Sequence, residues 1–310
     1  MEKTLIVMCG PTASGKSDCA IELSKLINGE VISCDSMQLY TGMDIGTATP
    51  TIEEMQGITH HLISIAEPDE RFSAAKYREL ALGVIEDIQS RERVPILCGG
   101  TGLYIDSLTR PMSFSEQGDD ELRQSLVAIA SDEAGKLQLH SQLLRIDPES
   151  AMRLSPNDVR RVVRALEVYQ LTGRTLTEQK KIDSEKSGDF RGKLFALRWP
   201  RDVLYERINR RVDRMIAQGL INEVIALMKS GAPKDATALQ AIGYKELVPV
   251  LEGQVSLMSA IGLIKQNTRH YAKRQLTWFQ RDERVIWIDA EKKTMRATVK
   301  EIAKHIKEDK

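Results

Sequence analysis

Hydrophobic and polar positions follow two different periods in the first third of the chain. Three short apolar runs predict buried strands, at residues 4–9, 31–35 and 94–98. Two stretches with helical periodicity predict amphipathic helices, at residues 17–27 and 74–91. A further short strand is expected in the run HHLISI at residues 60–65. Short apolar strands that alternate with helices are typical of a parallel sheet with helices on both faces.

The strand pattern disappears between Pro111 and about Gly188. This stretch has helical periodicity, with helix breaks expected at Gly135, Pro148, Pro156 and Gly173. Polar segments at residues 113–120 and 183–189 are interpreted as hinges. We therefore predict an α-helical insertion domain, residues 113–187, inside a core domain made of residues 1–112 and 188–310.

The sheet pattern resumes after the insertion. An apolar run at residues 194–197 continues the sheet, and another at residues 285–288 adds a last strand before a closing helix. Helices are predicted in between, at residues 203–218, 221–230, 238–251 and 256–280.

Charge is distributed unevenly although the formal net charge is zero. Residues 1–112 contain 16 Asp and Glu against 9 Lys and Arg, whereas residues 201–281 contain 13 Lys and Arg against 7 Asp and Glu. A basic half fits a polyanionic partner, but charge alone favours two ordinary solvated surfaces.

The cysteines and the N-terminus indicate a cytoplasmic protein. The four cysteines lie in apolar runs or in a helix, with no CxxC or Cys/His cluster, which argues against a zinc site and favours buried reduced thiols. The paired histidines at residues 60 and 61 are interpreted as loop or sheet-edge residues. The chain runs from Met1 directly into the first strand, leaving no room for a signal peptide, and no apolar stretch approaches the roughly 20 residues of a membrane span.

The sequence GPTASGKS follows the first predicted strand and opens the first helix, which is the context of a P-loop. Backbone N–H groups of such a loop surround a phosphate, the lysine adds a point charge, and the final serine can ligate Mg²⁺. The predicted fold class is therefore α/β, a P-loop NTPase-like parallel sheet. The phosphate-binding residues are Gly10, Pro11, Thr12, Ala13, Ser14, Gly15, Lys16 and Ser17.

Two other predicted strands end in residues that could carry chemistry beside the P-loop. Asp35 closes the second strand and could be a water-mediated Mg²⁺ ligand, a general base or a helix cap. Thr101, in the turn GGTG, offers a hydroxyl to the same cleft, although this turn alone could be only a tight turn. Ligands of open parallel sheets bind at this edge.

Two basic clusters lie on predicted helices. Arg160, Arg161 and Arg164 belong to the insertion, and a second cluster follows near the C-terminal end of the chain, with Arg269, Lys273 and Arg274 beside Tyr271 and Trp278. Arginine and lysine with aromatic residues can bind phosphates and stack unpaired bases. Without other evidence, a solvated helix face with Trp278 in the core is the favoured interpretation.

A set of motifs spans roughly residues 3–290 and reads, in chain order, GPTASGKS, DSMQLY, GTATP, HHLI, GGTGLY, RINRRVDRM, QAIGYKE and KRQLTWFQ. In this order the motifs resemble those of bacterial tRNA dimethylallyltransferases, the isopentenyl-tRNA transferase family. The resemblance implies transfer of a dimethylallyl group from dimethylallyl diphosphate to N6 of the adenosine 3′ of the anticodon, in tRNAs that read codons starting with U. It also implies Mg²⁺ as cofactor and the tRNA anticodon stem-loop as partner. We expect a monomer that does not contact membranes.

The same resemblance assigns roles to residues. Asp35 becomes the base at the target amine, Thr101 and Arg211 face the diphosphate, and Ser17 is the metal ligand. We expect diphosphate rather than ATP in the P-loop. The tRNA-binding residues are then Asp35, Ser36, Met37, Gln38, Thr101, Arg123, Arg160, Arg161, Val162, Val163, Arg164, Gln240, Ala241, Ile242, Gly243, Tyr244, Lys245, Lys273, Arg274, Gln275 and Trp278. Some relatives have Arg in place of Gln240, which weakens the inference of a tRNA contact there.

Two alternatives use the same P-loop. A small-molecule or nucleoside kinase shares the P-loop and an Asp at a strand end, but its lid is usually short, whereas the insertion here is long. A non-catalytic RNA-binding or switch NTPase would need no base beside the P-loop.

Overall fold

The computed structural model describes residues 4–114, 119–186, 188–233 and 235–308. The chain divides into two compact units. We call Met1–Thr109 with Phe190–Lys310 the core unit, and Arg110–Asp189 the helical unit. Residues 115–118 and 187, which belong to the two predicted hinges, lie outside the described residues.

The core unit contains a parallel sheet in the order β3-β2-β4-β1-β5-β6. Its central strand, β1, pairs with β4 on one side and β5 on the other. The predicted α/β class with a parallel sheet is confirmed. The strands are β1 (Thr4–Cys9), β2 (Gly29–Ser33), β3 (His60–His61), β4 (Val94–Cys98), β5 (Arg191–Arg198) and β6 (Val285–Asp289).

Helices surround the sheet and form the whole described secondary structure of the helical unit. In chain order they are α1 (Lys16–Ile27), α2 (Ile52–Met55), α3 (Ala74–Ser90), α4 (Gly102–Thr109), α5 (Asp120–Ile129), α6 (Glu133–Ile146), α7 (Pro148–Arg153), α8 (Val159–Thr172), α9 (Leu176–Ser184), α10 (Arg201–Ala217), α11 (Leu220–Lys229), α12 (Val248–Leu251), α13 (Leu257–Gln280) and α14 (Met295–Lys307).

Alternation along β1 explains the layers of the core unit. Leu5, Val7 and Cys9 pack on one face of the sheet with residues of α3 and α4. Ile6 and Met8 pack on the other face with residues of α1 and α14. Successive side chains of a strand point to opposite faces, so a strand covered on both sides is apolar throughout.

Several predicted boundaries are wrong. Strand β2 ends at Ser33, so Asp35 lies two residues beyond the strand that it was predicted to close. The segment 238–251 forms mostly turns and only the short helix α12, because Gly243 has a left-handed φ of +101° and Pro249 can occupy only the first turn of a helix. Gly135 does not break a helix; it lies inside α6, where a Cβ would come within 1.7 Å of the Ile129 carbonyl oxygen. Strand β3 has only two residues, His60 and His61.

The helical unit has its own apolar core, to which α5, α6 and α8 contribute Leu126, Leu139, Leu143, Val163 and Leu166. Among the described residues of the whole chain, no helix is both long and apolar enough to cross a membrane. The four cysteines are buried free thiols, and burial raises the pKa of Cys98 to about 11.

Candidate active site

The backbone between β1 and α1 takes the conformations that an anion site needs. Gly10, Ala13 and Gly15 have positive φ angles of 119°, 61° and 89°. Gly15 caps α1, and no side chain accepts a hydrogen bond from the N–H groups of the first turn there. Uncapped N–H groups at a helix N-terminus attract anions.

Carbonyl groups of this loop are held by side chains from elsewhere in the core unit. Trp199 Nε1 donates to the Ser14 carbonyl at 2.8 Å, and Arg207 Nε donates to the Ala13 carbonyl at 2.8 Å. The Arg207 guanidinium also lies 4.3 Å from the Trp199 ring centroid. These two contacts fix the loop through its carbonyl groups and do not use its N–H groups.

Three polar side chains of the loop have different environments. Lys16 is 9 % exposed, its Nζ donates to the Pro11 carbonyl at 3.2 Å, and burial lowers its pKa. The buried Ser14 hydroxyl has no hydrogen-bond partner among the described residues. Ser17 is exposed. A buried hydroxyl without a partner is costly, and an anion bound in the loop would satisfy it by accepting a hydrogen bond from it.

Asp35 and Thr101 lie at adjacent strand ends, after β2 and β4. Asp35 Oδ1 accepts a hydrogen bond from the Met37 N–H at 3.0 Å. Thr101 Oγ1 accepts one from the Ser36 N–H at 3.0 Å, and the Thr101 N–H donates to the Cys34 carbonyl at 3.1 Å. The two segments therefore hold each other in place.

The glycines around Thr101 are required by close packing. A Cβ at Gly99 would lie 2.4 Å from the Cys34 backbone, and one at Gly102 would lie 2.2 Å from Trp278 Nε1. The backbone of the GGTG turn thus packs directly against the segment that follows β2 and against Trp278 of α13.

Gln275 of α13 connects this turn to the P-loop. Its Nε2 donates to the Gly100 carbonyl at 3.0 Å, and its Oε1 accepts from the Thr12 N–H at 2.9 Å. The side chain is 5 % exposed. These two hydrogen bonds tie the P-loop to the turn.

A cavity of about 310 Å³ in the core unit brings Asp35 and Arg211 together. Many residues predicted from the sequence line it: Thr12, Asp35, Ser36, Met37, Arg211, Gln240, Ala241, Ile242, Gly243, Lys245 and Arg274. Residues that the sequence analysis did not assign to the site line it too: Gly46, Thr47, Val212, Met215, Leu220, Ile264, Thr268 and Tyr271. The cavity combines charged groups with an apolar wall.

Arg211 and Tyr271 give the cavity its polar character. The half-buried Arg211 donates from Nη2 to the Thr47 carbonyl at 3.3 Å. Burial lowers the pKa of Arg211, and the charge of Asp35 opposes this shift. Burial raises the pKa of the Tyr271 hydroxyl, and the charge of Asp35 raises it further, so this group stays protonated at neutral pH. The sequence pointed to Tyr271 only through its place in the cluster of basic and aromatic residues on α13.

The remaining predicted residues divide by exposure. Lys273 and Arg274 are exposed, and Trp278 is 44 % exposed, so the interpretation of Trp278 as a core residue is wrong. The side chains of Val162, Val163 and Tyr244 are buried in hydrophobic cores, although Val163 also lines a groove of the helical unit.

The helical unit contains a groove of about 790 Å³ lined by six cationic side chains, which we call the arginine groove: Arg123, Arg153, Arg160, Arg161, Arg164 and Lys180. The fully buried Glu167 accepts from Arg123 Nη2 at 2.7 Å and from Arg164 Nη1 at 2.8 Å. Arg161 Nη1 donates to Asp158 at 3.1 Å. Arg153 and Lys180 were missed because they come from separate helices, α7 and α9.

The model of the family described as IPP transferase matches residues 38–282. The chain belongs to the IPP transferase family. It is 47 % identical over 286 residues to a tRNA dimethylallyltransferase of Thermoanaerobacter sp. (strain X514), covering 91 % of this chain and 90 % of the relative. It is also 47 % identical over 290 residues to one of Halalkalibacterium halodurans, covering 93 % and 92 %. This chain is thus a transferase.

Solved structures share the fold over the whole chain. The crystal structure of tRNA delta(2)-isopentenylpyrophosphate transferase from Staphylococcus epidermidis matches with a TM-score of 0.74 and 43 % identity, covering all of both chains. A eukaryotic dimethylallyltransferase acting on tRNA matches with a TM-score of 0.83 and 29 % identity, covering 99 % of this chain and 79 % of that chain.

Proposed function

We propose that this transferase moves a dimethylallyl group from dimethylallyl diphosphate to N6 of the adenosine 3′ of the anticodon, position 37, in tRNAs that read codons starting with U. The products are N6-(dimethylallyl)adenosine and diphosphate. The observation that carries the proposal is the cavity that places the Asp35 carboxylate with Thr12 of the P-loop and Arg211. The names of the relatives support the same reaction.

The P-loop, Lys16, Thr101 and Arg211 bind the diphosphate in this proposal. The leaving diphosphate gains negative charge as its C–O bond breaks, and fixed donors stabilise that charge without having to reorganise. Lys16 and Arg211 are suited to this because each is held on a backbone carbonyl. The unpartnered Ser14 hydroxyl supports an anion rather than an empty loop. We expect diphosphate, not ATP, as the physiological ligand.

Mg²⁺ is proposed as the cofactor, with Ser17 as its protein ligand. The exposed Ser17 hydroxyl follows Lys16 as in other P-loops, which fits an ion that takes most of its ligands from substrate oxygens and water. No group of three or more His, Cys, Asp and Glu side chains able to hold a metal ion occurs among the described residues. When bound, the ion would supply positive charge at the diphosphate.

Asp35 is proposed as the general base. The adenine amine is a poor nucleophile because its lone pair is delocalised into the ring. As the new C–N bond forms, the C–O bond to diphosphate breaks and its electron pair leaves with the diphosphate, while the amine proton passes to the Asp35 carboxylate. The hydrogen bond from the Met37 N–H orients that carboxylate.

The tRNA would contact both units. An adenine in an anticodon loop must leave its stack to enter the cavity, at a cost of a few kcal/mol. Lys273, Arg274 and the exposed Trp278 of α13 can bind and stack the loop. The arginine groove of the helical unit, our proposed tRNA-gripping domain, can bind stem phosphates.

The reaction is tested by incubating the protein with tRNA, dimethylallyl diphosphate and Mg²⁺, followed by mass analysis of the tRNA nucleosides. We expect N6-(dimethylallyl)adenosine and one diphosphate per transfer, and much slower formation of both with Asp35→Asn. Consumption of ATP with a hydroxyl acceptor would support a kinase instead, and an intact nucleotide retained without product would support a switch NTPase.

A further inference from the structure

Gly46 and Thr47 line the cavity that contains Asp35, and the loop that carries them is anchored by a side chain of α11. We call residues 44–48 the 44–48 loop. Its anchor is Glu223, which is not among the described residues that line the cavity. The hydrogen bonds of Glu223 therefore reach the site through the residues it holds and not by direct contact.

The Glu223 carboxylate accepts four hydrogen bonds. Oε2 accepts from the N–H groups of Asp44 and Ile45, at 2.9 and 2.7 Å, and Oε1 accepts from the Gly46 N–H at 2.9 Å. Oε1 also accepts from the Tyr244 hydroxyl at 2.6 Å. Successive N–H groups that converge on one anion form a nest, and hydrogen bonds to a charged acceptor are roughly twice as strong as neutral ones.

Packing reinforces these hydrogen bonds. The Tyr244 ring is fully buried, and a Cβ at Gly46 would lie 2.4 Å from it. The absence of a side chain at Gly46 thus lets the 44–48 loop lie directly on the ring. The motifs GTATP and QAIGYKE are about 200 residues apart in the sequence. Gly46 of the first motif packs on Tyr244 of the second, so the two motifs hold the same loop in place.

The anchored loop presents one carbonyl group to Arg211, which lines the cavity, and another to Gln38, which does not. The Thr47 carbonyl accepts from Arg211 Nη2 at 3.3 Å. The Ala48 carbonyl accepts from Gln38 Nε2 at 3.2 Å, and Gln38 Oε1 in turn accepts from the Ser33 hydroxyl at 2.8 Å. A shift of the loop would therefore move the Arg211 guanidinium away from its place beside Asp35.

We infer that Glu223 is a positioning residue for the transfer reaction: it holds the 44–48 loop, and the loop carbonyls orient Arg211 and Gln38. This inference rests on the function proposed above. The anchor keeps Arg211 in place before substrate binds, so that its charge does not have to be reoriented as diphosphate departs.

Glu223→Gln tests the inference because it keeps the size of the side chain but removes its charge and turns an amide group towards N–H donors. We expect a single-turnover rate about 10- to 100-fold lower at saturating tRNA and dimethylallyl diphosphate, as for other small displacements of catalytic groups. The matched control is Glu206→Gln on α10, which removes only an exposed pair with Arg210 and should leave the rate unchanged.

A double-mutant cycle separates positioning from a general loss of stability. If Glu223 acts through Arg211, then Glu223→Gln should slow the reaction much less in an Arg211→Ala background than in the wild type. Effects that multiply independently would overturn the inference. Where Glu223→Gln fails to fold, Glu223→Asp and Tyr244→Phe, which each keep part of the anchor, enter the same cycle.

Two measurements do not depend on prenyl transfer. Hydrogen exchange at the Asp44, Ile45 and Gly46 amides should be faster in folded Glu223→Gln than in Glu206→Gln, and the affinity for inorganic pyrophosphate should fall several-fold. Unchanged hydrogen exchange at these three amides would contradict the inference that Glu223 anchors the 44–48 loop. If the wild type made no prenylated nucleoside, the proposed function would fail, and these two measurements would still decide whether Glu223 positions the anion site.

Discussion

The two units hold their cationic side chains in different ways. In the core unit, Lys16 is buried and Arg211 is half-buried, and each donates to a backbone carbonyl group. In the helical unit, Arg160 and Arg161 are exposed on α8, and the partner of Arg161 is another side chain, Asp158. The first arrangement fixes charges in advance, whereas the second leaves them movable and solvated.

This difference separates two physical tasks. Fixed charges away from water interact strongly with charge that develops during a reaction. Solvated charges bind phosphates mainly by releasing counterions, and that binding depends strongly on salt. We therefore expect substitutions of Lys16 and Arg211 to change rates and substitutions in the arginine groove to change tRNA affinity.

The largest effect is expected for Asp35→Ala. Loss of a general base should slow prenyl transfer by about 10²–10⁴-fold while tRNA affinity changes only a few-fold. Single-turnover kinetics and a tRNA binding titration measure the two quantities. A single-turnover rate near that of the wild type would exclude Asp35 as the base.

Lys16→Ala should lower the rate of the chemical step by about 10²–10³-fold, because a fixed donor to the leaving diphosphate is lost. Arg211→Ala should act in the same direction. The matched control is Lys25→Ala, since Lys25 lies on the same helix but makes an exposed pair with Glu22. Unchanged kcat and KM for dimethylallyl diphosphate would mean that Lys16 and Arg211 do not contribute to diphosphate binding or to the chemical step.

Arg160→Ala combined with Arg161→Ala should weaken tRNA binding about tenfold near physiological salt and reduce the slope of log affinity against log salt by roughly one to two. Affinity for dimethylallyl diphosphate should not change. Arg174→Ala, an exposed residue of the same unit that does not line the groove, is the control. If the double variant kept the wild-type salt slope, Arg160 and Arg161 would not bind tRNA phosphates and would only form a solvated helix face.

The smallest expected effect is on stability and comes from a buried carboxylate. Each unit has one that is paired with two arginines, Glu30 in the core unit and Glu167 in the helical unit. Glu30, 1 % exposed, is paired with His61, Arg91 and Arg93, and these hydrogen bonds hold its pKa well below the usual value. A lowered pKa stabilises the fold above about pH 4.3, and this contribution is lost as the pH falls further.

Glu30→Gln should therefore lower the free energy of unfolding by about 1 kcal/mol at pH 7, a modest value because both arginines are two-fifths exposed. Below pH 4 the difference from the wild type should shrink. Urea unfolding at several pH values measures it. A difference that stays constant down to pH 3 would mean that the Glu30 charge is not what the arginines stabilise.

The sequence by itself determined most of the fold, because strands and helices follow from local periodicity. The strands 4–9 and 94–98 have the predicted bounds, and a buried parallel strand needs an uninterrupted apolar run that is easy to recognise. The P-loop was equally clear, since its glycines, lysine and serine are contiguous. Asp35 and Thr101 were found because strand ends of a parallel sheet meet at one edge.

Only the tertiary structure decided which distant residues support that site. Glu223, Tyr244, Arg207 and Trp199 act on loops far away in sequence, through hydrogen bonds that leave no periodic signal. The tertiary structure also decided that Arg123 and Arg164 pair with the buried Glu167. Helical spacing shows which residues share a helix face, but it does not show which side chains of other helices that face contacts. Long-range partners are chosen by packing, and packing is a property of the folded chain.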